Sequence, residues 1–205
     1  MRPFIEHTGN GVPLRISDVD TDQIIPARFC AGVTKDGLDE ACFADWRSDP
    51  DFILNHEAYR GATVLVAGMD FGTGSSREWA VWALQAYGFR VVLAPRFGDI
   101  FRGNALRNGL LVAELPQQDI EWIWKNLESH PDEALTVDLV HQQVRRGENV
   151  YRFELEEDSR RRLLHGYDDI GVTLVHSEDI DAYEHNRRTT LPTARRIEQQ
   201  AVRHG

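Results

Sequence analysis

One stretch of the chain places a hydroxyl and a guanidinium directly after a run of glycines, between a strand pattern and a helix pattern. Residues 68–80 read GMDFGTGSSREWA. The glycines permit a tight turn and close approach of the backbone, and free N–H groups at a helix start favour an anion. Arg77 adds a planar group that binds a carboxylate or phosphate through two hydrogen bonds. These residues predict an anion site that contains a serine hydroxyl.

Other interpretations of the same stretch are tested by spacing. Ser75 and Glu78 fit the capping box of a helix, so a purely structural cap is the alternative for Ser75. A phosphate-binding P-loop requires a lysine that the stretch lacks. A nucleophile elbow requires glycines two residues before and after the serine, where Thr73 and Arg77 stand.

The composition bounds the class of protein. A chain of 205 residues with 41% hydrophobic and 27% charged residues predicts one soluble domain. The net charge of -10 argues against a nucleic-acid or anionic-membrane partner, so an anionic substrate requires a local positive site. We expect no membrane span and no signal peptide. Two cysteines form no disulfide framework, which favours the reducing cytoplasm.

The segments around the glycine motif alternate between strand and helix patterns. Strands are predicted over residues 12–16, 62–67, 90–94 and 110–113, and helices over residues 38–46, 79–84, 100–108, 119–127, 157–164 and 178–183. This order predicts an α/β fold with parallel strands and crossover helices. Turn residues at 145–149 predict a β-hairpin. We expect one domain over residues 1–183 and a basic, loosely ordered tail over 184–205.

Several motifs in the same order resemble the swivel domain of the aconitase superfamily. They are DTDQIIPA at 20–27, FGTGSSRE at 71–78 and FGDIFRGNALRNGLL at 97–111. With VTKDG at 33–37 and FADWR at 43–47, residues 4–183 resemble the small subunits of bacterial 3-isopropylmalate dehydratases. The resemblance implies a single swivel-type β/β/α domain with a mostly parallel central sheet, crossover helices and an added β-hairpin.

The resemblance also implies a reaction, the reversible dehydration and rehydration of a 2-hydroxy dicarboxylate. In leucine biosynthesis this moves the hydroxyl of isopropylmalate to the neighbouring carbon. The proton removed is weakly acidic, which calls for a strong base. By position, Ser75 would be the base, Ser76 a substrate contact and Arg77 the carboxylate clamp. Thr34 and Lys35 would read the substrate's variable group, with an ordinary solvated loop as the alternative.

The cofactor implied by the resemblance is a [4Fe-4S] cluster that assists the departing hydroxide as a Lewis acid. Such clusters require three or four cysteine thiolates. Cys30 and Cys42 are too few and lack the spacing. We therefore expect that no metal is bound by this chain and that the cluster lies on a large-subunit partner, which completes the site.

Two residues depart from the family pattern, and other functions remain open. Trp79 replaces the usual histidine, and Asp70 the usual asparagine. The same chemistry on a methylmalate or a homoaconitate-type acid is one alternative. A non-enzymatic phosphate- or nucleotide-binding module built on residues 72–76 is another, although no acidic ribose-binding residue is evident at the required distance.

Overall fold

The computed structural model of the chain describes residues 1–30, 37–75, 77–174 and 176–187. The chain divides into two compact units, of which the first is Met1–Asp168 and the second begins at Asp169. The predicted limit of the domain at residue 183 stays a prediction. Within the described ranges, no helix is long and apolar enough to cross a membrane.

The strands of the first unit form two sheets. In chain order they are β1 (Glu6–Gly9), β2 (Gly11–Leu14), β3 (Val64–Ala67), β4 (Val91–Ala94), β5 (Leu111–Glu114), β6 (Leu135–Asp138), β7 (Gln143–Arg146) and β8 (Asn149–Arg152). One sheet is parallel, in the order β2-β3-β4-β5, and the other is antiparallel, in the order β1-β6-β7-β8.

The helices of the described chain are mostly short. They are α1 (Thr21–Ile24), α2 (Leu38–Ala41), α3 (Ala44–Arg47), α4 (Glu78–Tyr87), α5 (Asp99–Asn108), α6 (Gln117–Ser129), α7 (Glu157–His165), α8 (Asp169–Leu174) and α9 (Ser177–Asn186). The last two belong to the second unit.

The predicted α/β fold is confirmed. Helix α4 joins β3 to β4, and α5 joins β4 to β5, so both are crossovers between parallel strands. Every residue of β3 and β4 is buried, which explains their continuous apolar sequences. Helix α6 packs against β2, β3 and β4, and Trp124 donates a hydrogen bond from Nε1 to the carbonyl oxygen of Val66 at 2.8 Å.

The predicted hairpin is present as β7 and β8, and β6 extends it to a larger antiparallel sheet. Strand β1 was not predicted, because its sequence EHTG lacks an apolar alternation. Its pairing with β6 is supported instead by side chains across the two strands: Thr8 and Thr136 hydroxyls lie 2.8 Å apart. Glu6 also accepts a hydrogen bond from Arg145 of β7 at 2.6 Å.

The single helix predicted over residues 38–46 is wrong, because the chain breaks between α2 and α3. Phe43 has a positive φ of 50°, which is rare for a bulky residue. Its side chain is fully buried and stacks on Trp46 at 5.5 Å, and its N–H donates to the carbonyl oxygen of Ile24 at 2.7 Å. Burial of this ring outweighs the local preference for a continuous helix.

Gly98 lies where two loops at the end of the parallel sheet cross. A Cβ at this position would lie 2.6 Å from the carbonyl oxygen of Gly72 and 3.2 Å from Cα of Thr73. Both of these are backbone atoms, which cannot move aside as a flexible side chain does. The close approach therefore requires a residue without a Cβ.

Gly98→Ala should destabilise the protein by about 1–3 kcal/mol, because the added methyl group forces the two backbones apart. Gly103→Ala is the matched control. Gly103 lies inside α5, and a Cβ there meets nothing within 4 Å. That change should raise the free energy of unfolding by about 0.5–1 kcal/mol through helix propensity. Urea unfolding of both variants measures the two free energies. A similar change for Gly98→Ala and Gly103→Ala would contradict the close backbone contact at Gly98.

Candidate active site

The glycine motif leaves the carboxyl end of β3, and loops from both neighbouring strands pair with it. Beyond β3, isolated parallel bridges join Thr73 to Asp20 and Phe71 to Phe97. The N–H of Thr21 donates to the carbonyl oxygen of Thr73 at 3.0 Å. Sequence segments that are far apart in the chain therefore meet at one edge of the sheet, as ligand sites in open α/β sheets do.

Aromatic rings support the motif from α5. Phe71 is fully buried and meets Phe101 edge-on, with ring centroids 5.5 Å apart. Gly72 has a φ of 79°, and a Cβ there would lie 2.3 Å from the ring of Phe101. A glycine is thus required both by the backbone conformation and by the space.

A cavity of about 250 Å³ opens beside the motif. Its lining includes Ser75 and Arg77, the predicted base and clamp. The other lining residues come from α1, from the glycine turn and from the start of α5: Thr21, Gly72, Thr73, Gly74, Gly98, Asp99, Ile100 and Phe101. The cavity therefore combines a hydroxyl and a cation with partly apolar walls.

Ser75 is exposed and does not cap α4. The capping residue is Arg77, and it makes no side-chain cap hydrogen bond, so the capping-box alternative for Ser75 is wrong. In the part of the chain that the structure describes, the Ser75 hydroxyl forms no hydrogen bond. Its carbonyl oxygen, by contrast, accepts a 2.8 Å hydrogen bond from the hydroxyl of Thr21. The peptide is fixed while the hydroxyl stays available.

Arg77 forms an ion pair with Asp22 of α1. Nη1 donates to Oδ1 of Asp22 at 2.6 Å, and the Arg77 side chain is 29% exposed. A guanidinium has five N–H donors, and this contact uses one of them. The group can therefore hold a second carboxylate while it remains tied to α1.

The departures at Trp79 and Asp70 are accommodated by packing and by an ion pair. Trp79 is half-buried and meets Trp82 edge-on at 5.2 Å. Asp70 has a φ of 58°, a conformation that aspartate and asparagine both tolerate. It accepts a hydrogen bond from Nη2 of Arg96 at 2.6 Å, and this arginine lowers the pKa of the Asp70 carboxyl.

Some of the predicted site residues lie outside the described residues. They are Thr34, Lys35 and Ser76, so their roles stay predictions. The structure adds two residues to which the sequence assigned no role, Thr21 and Asp22. One sequence signal could have pointed to them: Asp20 and Gln23 have the spacing of the capping box that sets the first turn of α1.

The cysteines do not form a metal site. Cys42 is fully buried, and burial raises the pKa of its thiol. Cys30 is partly exposed, and its Sγ lies 4.0 Å from the carbonyl oxygen of Pro26. Across the described ranges, no group of three or more histidine, cysteine, aspartate or glutamate side chains is placed to hold a metal ion. These residues do not fit an iron–sulfur cluster.

Three family models match parts of the chain. The family model of the aconitase C-terminal domain matches residues 1–118, and the LeuD_N model matches residues 122–157. A third model, which describes the C-terminal domain of the 3-isopropylmalate dehydratase small subunit, matches residues 169–194.

The chain is 58% identical to a 3-isopropylmalate dehydratase small subunit of Micrococcus luteus, over 94% of this chain and 96% of the relative. It is 55% identical to that of Acidothermus cellulolyticus, over 95% and 99%. Among solved structures it resembles 3-isopropylmalate dehydratase (leuD) of Methanocaldococcus jannaschii. The TM-score is 0.65 at 25% identity, with 85% of this chain and 99% of that one covered.

Proposed function

The chain belongs to the family of 3-isopropylmalate dehydratase small subunits, and on this basis we propose that it supplies a base and a carboxylate clamp to a shared active site. The reaction is the interconversion of 2-isopropylmalate and 3-isopropylmalate by loss and return of water. The observation that carries the proposal is a cavity lined by Ser75, whose hydroxyl is uncommitted, and by Arg77.

Ser75 is the proposed base. Its oxygen, as the alkoxide, takes the proton from the carbon next to a carboxylate while hydroxide leaves the neighbouring carbon, which gives an alkene. A base stronger than a neutral imidazole suits such a weakly acidic proton. Ser75 lies two residues before the cap of α4, a ten-residue helix whose free N–H groups and dipole favour negative charge nearby.

Arg77 is the proposed clamp for a substrate carboxylate. The whole chain carries a net charge of -10, so a dianionic substrate needs a local cation to approach. Arg77 lines the cavity and is only partly exposed, which strengthens a charge-assisted hydrogen bond. Ser76 is proposed as a further substrate contact, and Thr34 and Lys35 as the residues that read the alkyl group.

The other half of the site is proposed to come from a large subunit that carries the [4Fe-4S] cluster. The cluster supplies Lewis-acid chemistry when it is bound there. This chain supports the proposal because its own cysteines do not suit a cluster: Cys42 is inaccessible, and only one other cysteine is present. Both cysteines are unpaired, which agrees with the proposed cytoplasmic location.

Ser75→Ala tests the assignment of the base. In the assembled, cluster-loaded complex, turnover of 2-isopropylmalate should fall by about 10²–10⁴-fold, as expected for a lost general base. Substrate binding should persist through Arg77 and the partner. The free energy of unfolding should change by less than about 0.5 kcal/mol, because Ser75 does not cap α4.

Ser129→Ala is the control for this experiment. The Ser129 hydroxyl is exposed and bonds to the Lys125 carbonyl oxygen within α6, so the change should leave turnover intact. A wild-type complex that failed to convert isopropylmalate would overturn the proposed reaction. A Ser75→Ala complex that kept most of its turnover would overturn the assignment of Ser75 as the base and leave the proposed reaction standing.

Arg77→Lys tests the clamp, because lysine keeps the charge but loses the planar fork. We expect KM for isopropylmalate to rise about tenfold or more, with the fold intact. Arg60→Lys is the matched control, since Arg60 pairs with Glu57 at 2.6 Å in a highly exposed ion pair. Steady-state kinetics of both complexes decide the point. Equal KM values for Arg77→Lys and wild type would mean that Arg77 only braces α4.

A further inference from the structure

The short helix α1 contacts the site motif through two successive side chains. Its first turn is held by a capping box: Asp20 accepts a hydrogen bond from the N–H of Gln23 at 2.8 Å, and Gln23 accepts one from the N–H of Asp20 at 2.9 Å. This arrangement fixes the directions of Thr21 and Asp22, which lie between the capping residues.

Thr21 connects α1 to the backbone on both sides of Gly74. Its N–H donates to the carbonyl oxygen of Thr73, and its hydroxyl donates to the carbonyl oxygen of Ser75 at 2.8 Å. Thr21 is only 2% exposed, so this hydroxyl has little access to water as an alternative partner. The bond is partly buried, and a hydrogen bond shielded from water on one side holds a peptide more firmly than a fully exposed one.

Asp22 contacts the side chain of Arg77, the proposed clamp in the same motif. Its Oδ1 lies 2.6 Å from Nη1 of Arg77, and the Asp22 side chain is 51% exposed. An exposed ion pair contributes little to folding stability. What the contact does show is geometry: it joins one nitrogen of the Arg77 fork to α1, next to the cavity that Arg77 lines.

We propose that Thr21 and Asp22 are positioning residues for the reaction. Thr21 sets the place of Ser75 through the Ser75 carbonyl, and Asp22 sets the direction of the Arg77 fork. The inference rests on the proposed function, because it concerns residues that act through the proposed base and clamp. It predicts different kinetic effects for two adjacent residues, whereas a purely structural role predicts the same effect for both.

A displaced base and a displaced clamp differ in what they change. When Ser75 moves away from the reacting carbon, the chemical step slows and substrate binding is spared, so kcat falls. When Arg77 loses its direction, a contact present in both ground state and transition state weakens, so KM rises. Reduced folding or assembly lowers the amount of active complex and changes neither KM nor the kcat per assembled site.

Thr21→Val removes the hydroxyl and keeps the shape, and Thr21→Ser keeps the hydroxyl. In the assembled complex, with kcat expressed per cluster-loaded site, Thr21→Val should lower kcat by about 10–100-fold with KM within about twofold. Thr21→Ser should restore most of kcat. Thr8→Val removes a more exposed hydroxyl bond, to Thr136 in the antiparallel sheet, from a residue that does not line the cavity, and should leave kcat unchanged. A wild-type kcat for Thr21→Val would overturn the role of Thr21.

Asp22→Asn removes the charge and keeps the size, and should raise KM for isopropylmalate by about tenfold with kcat nearly unchanged. If Asp22 acts through Arg77, the same substitution in an Arg77→Ala background should change KM by less than about twofold. Glu6→Gln breaks the comparable ion pair with Arg145 and is the control.

Two results would overturn the role of Asp22. One is an equal rise in KM when Asp22→Asn is made in the wild-type and in the Arg77→Ala background; the other is no rise when it is made in the wild-type background. The wild-type complex is the reference throughout. Conversion of isopropylmalate by wild type, together with unchanged constants in the Thr21 and Asp22 variants, would remove this inference and leave the proposed function standing.

Discussion

The parallel pairing of β3 with its two neighbours continues past the end of the strand, and the candidate site depends on that continuation. The bridges Asp20 to Thr73 and Phe71 to Phe97 lie beyond the regular ladders. Each one ties a loop from a neighbouring strand to the glycine motif. Because peptide hydrogen bonds tolerate little change in geometry, the three loops form one rigid edge. Without them the motif would be an unsupported turn between β3 and α4.

This edge also explains how an acidic chain can present a cation to a dicarboxylate. Asp22 balances Arg77 by contact at one nitrogen, and the remaining donors of the guanidinium stay available. Nearby, Asp70 is occupied by Arg96, and that contact keeps its pKa low. Asp99 also lines the cavity, so the proposed anion contact depends on the guanidinium donors of Arg77 that Asp22 does not use. The proposed partner then completes a cavity that is already ordered on this side.

The sequence predicted the parts of the structure that depend on continuous burial. Strands β3 and β4 are apolar throughout because every residue in them is buried, and the helix between them follows from the strand order. Strand β1 could not be predicted, because its pairing is carried by polar side chains across strands. The break at Phe43 was also hidden, since only the tertiary burial of its ring explains the positive φ.

For the site, the glycine motif and the family resemblance singled out Ser75 and Arg77, which line one cavity. The sequence assigned no role to Thr21 and Asp22, whose contacts with these two residues span more than fifty positions of the chain. The most direct measurement of the proposed base and clamp is a structure of the assembled complex with a dicarboxylate inhibitor bound. We expect the Ser75 oxygen about 3–3.5 Å from the carbon that loses its proton, with Arg77 on a carboxylate. An inhibitor held by the partner alone, with Ser75 and Arg77 turned to solvent, would contradict both assignments.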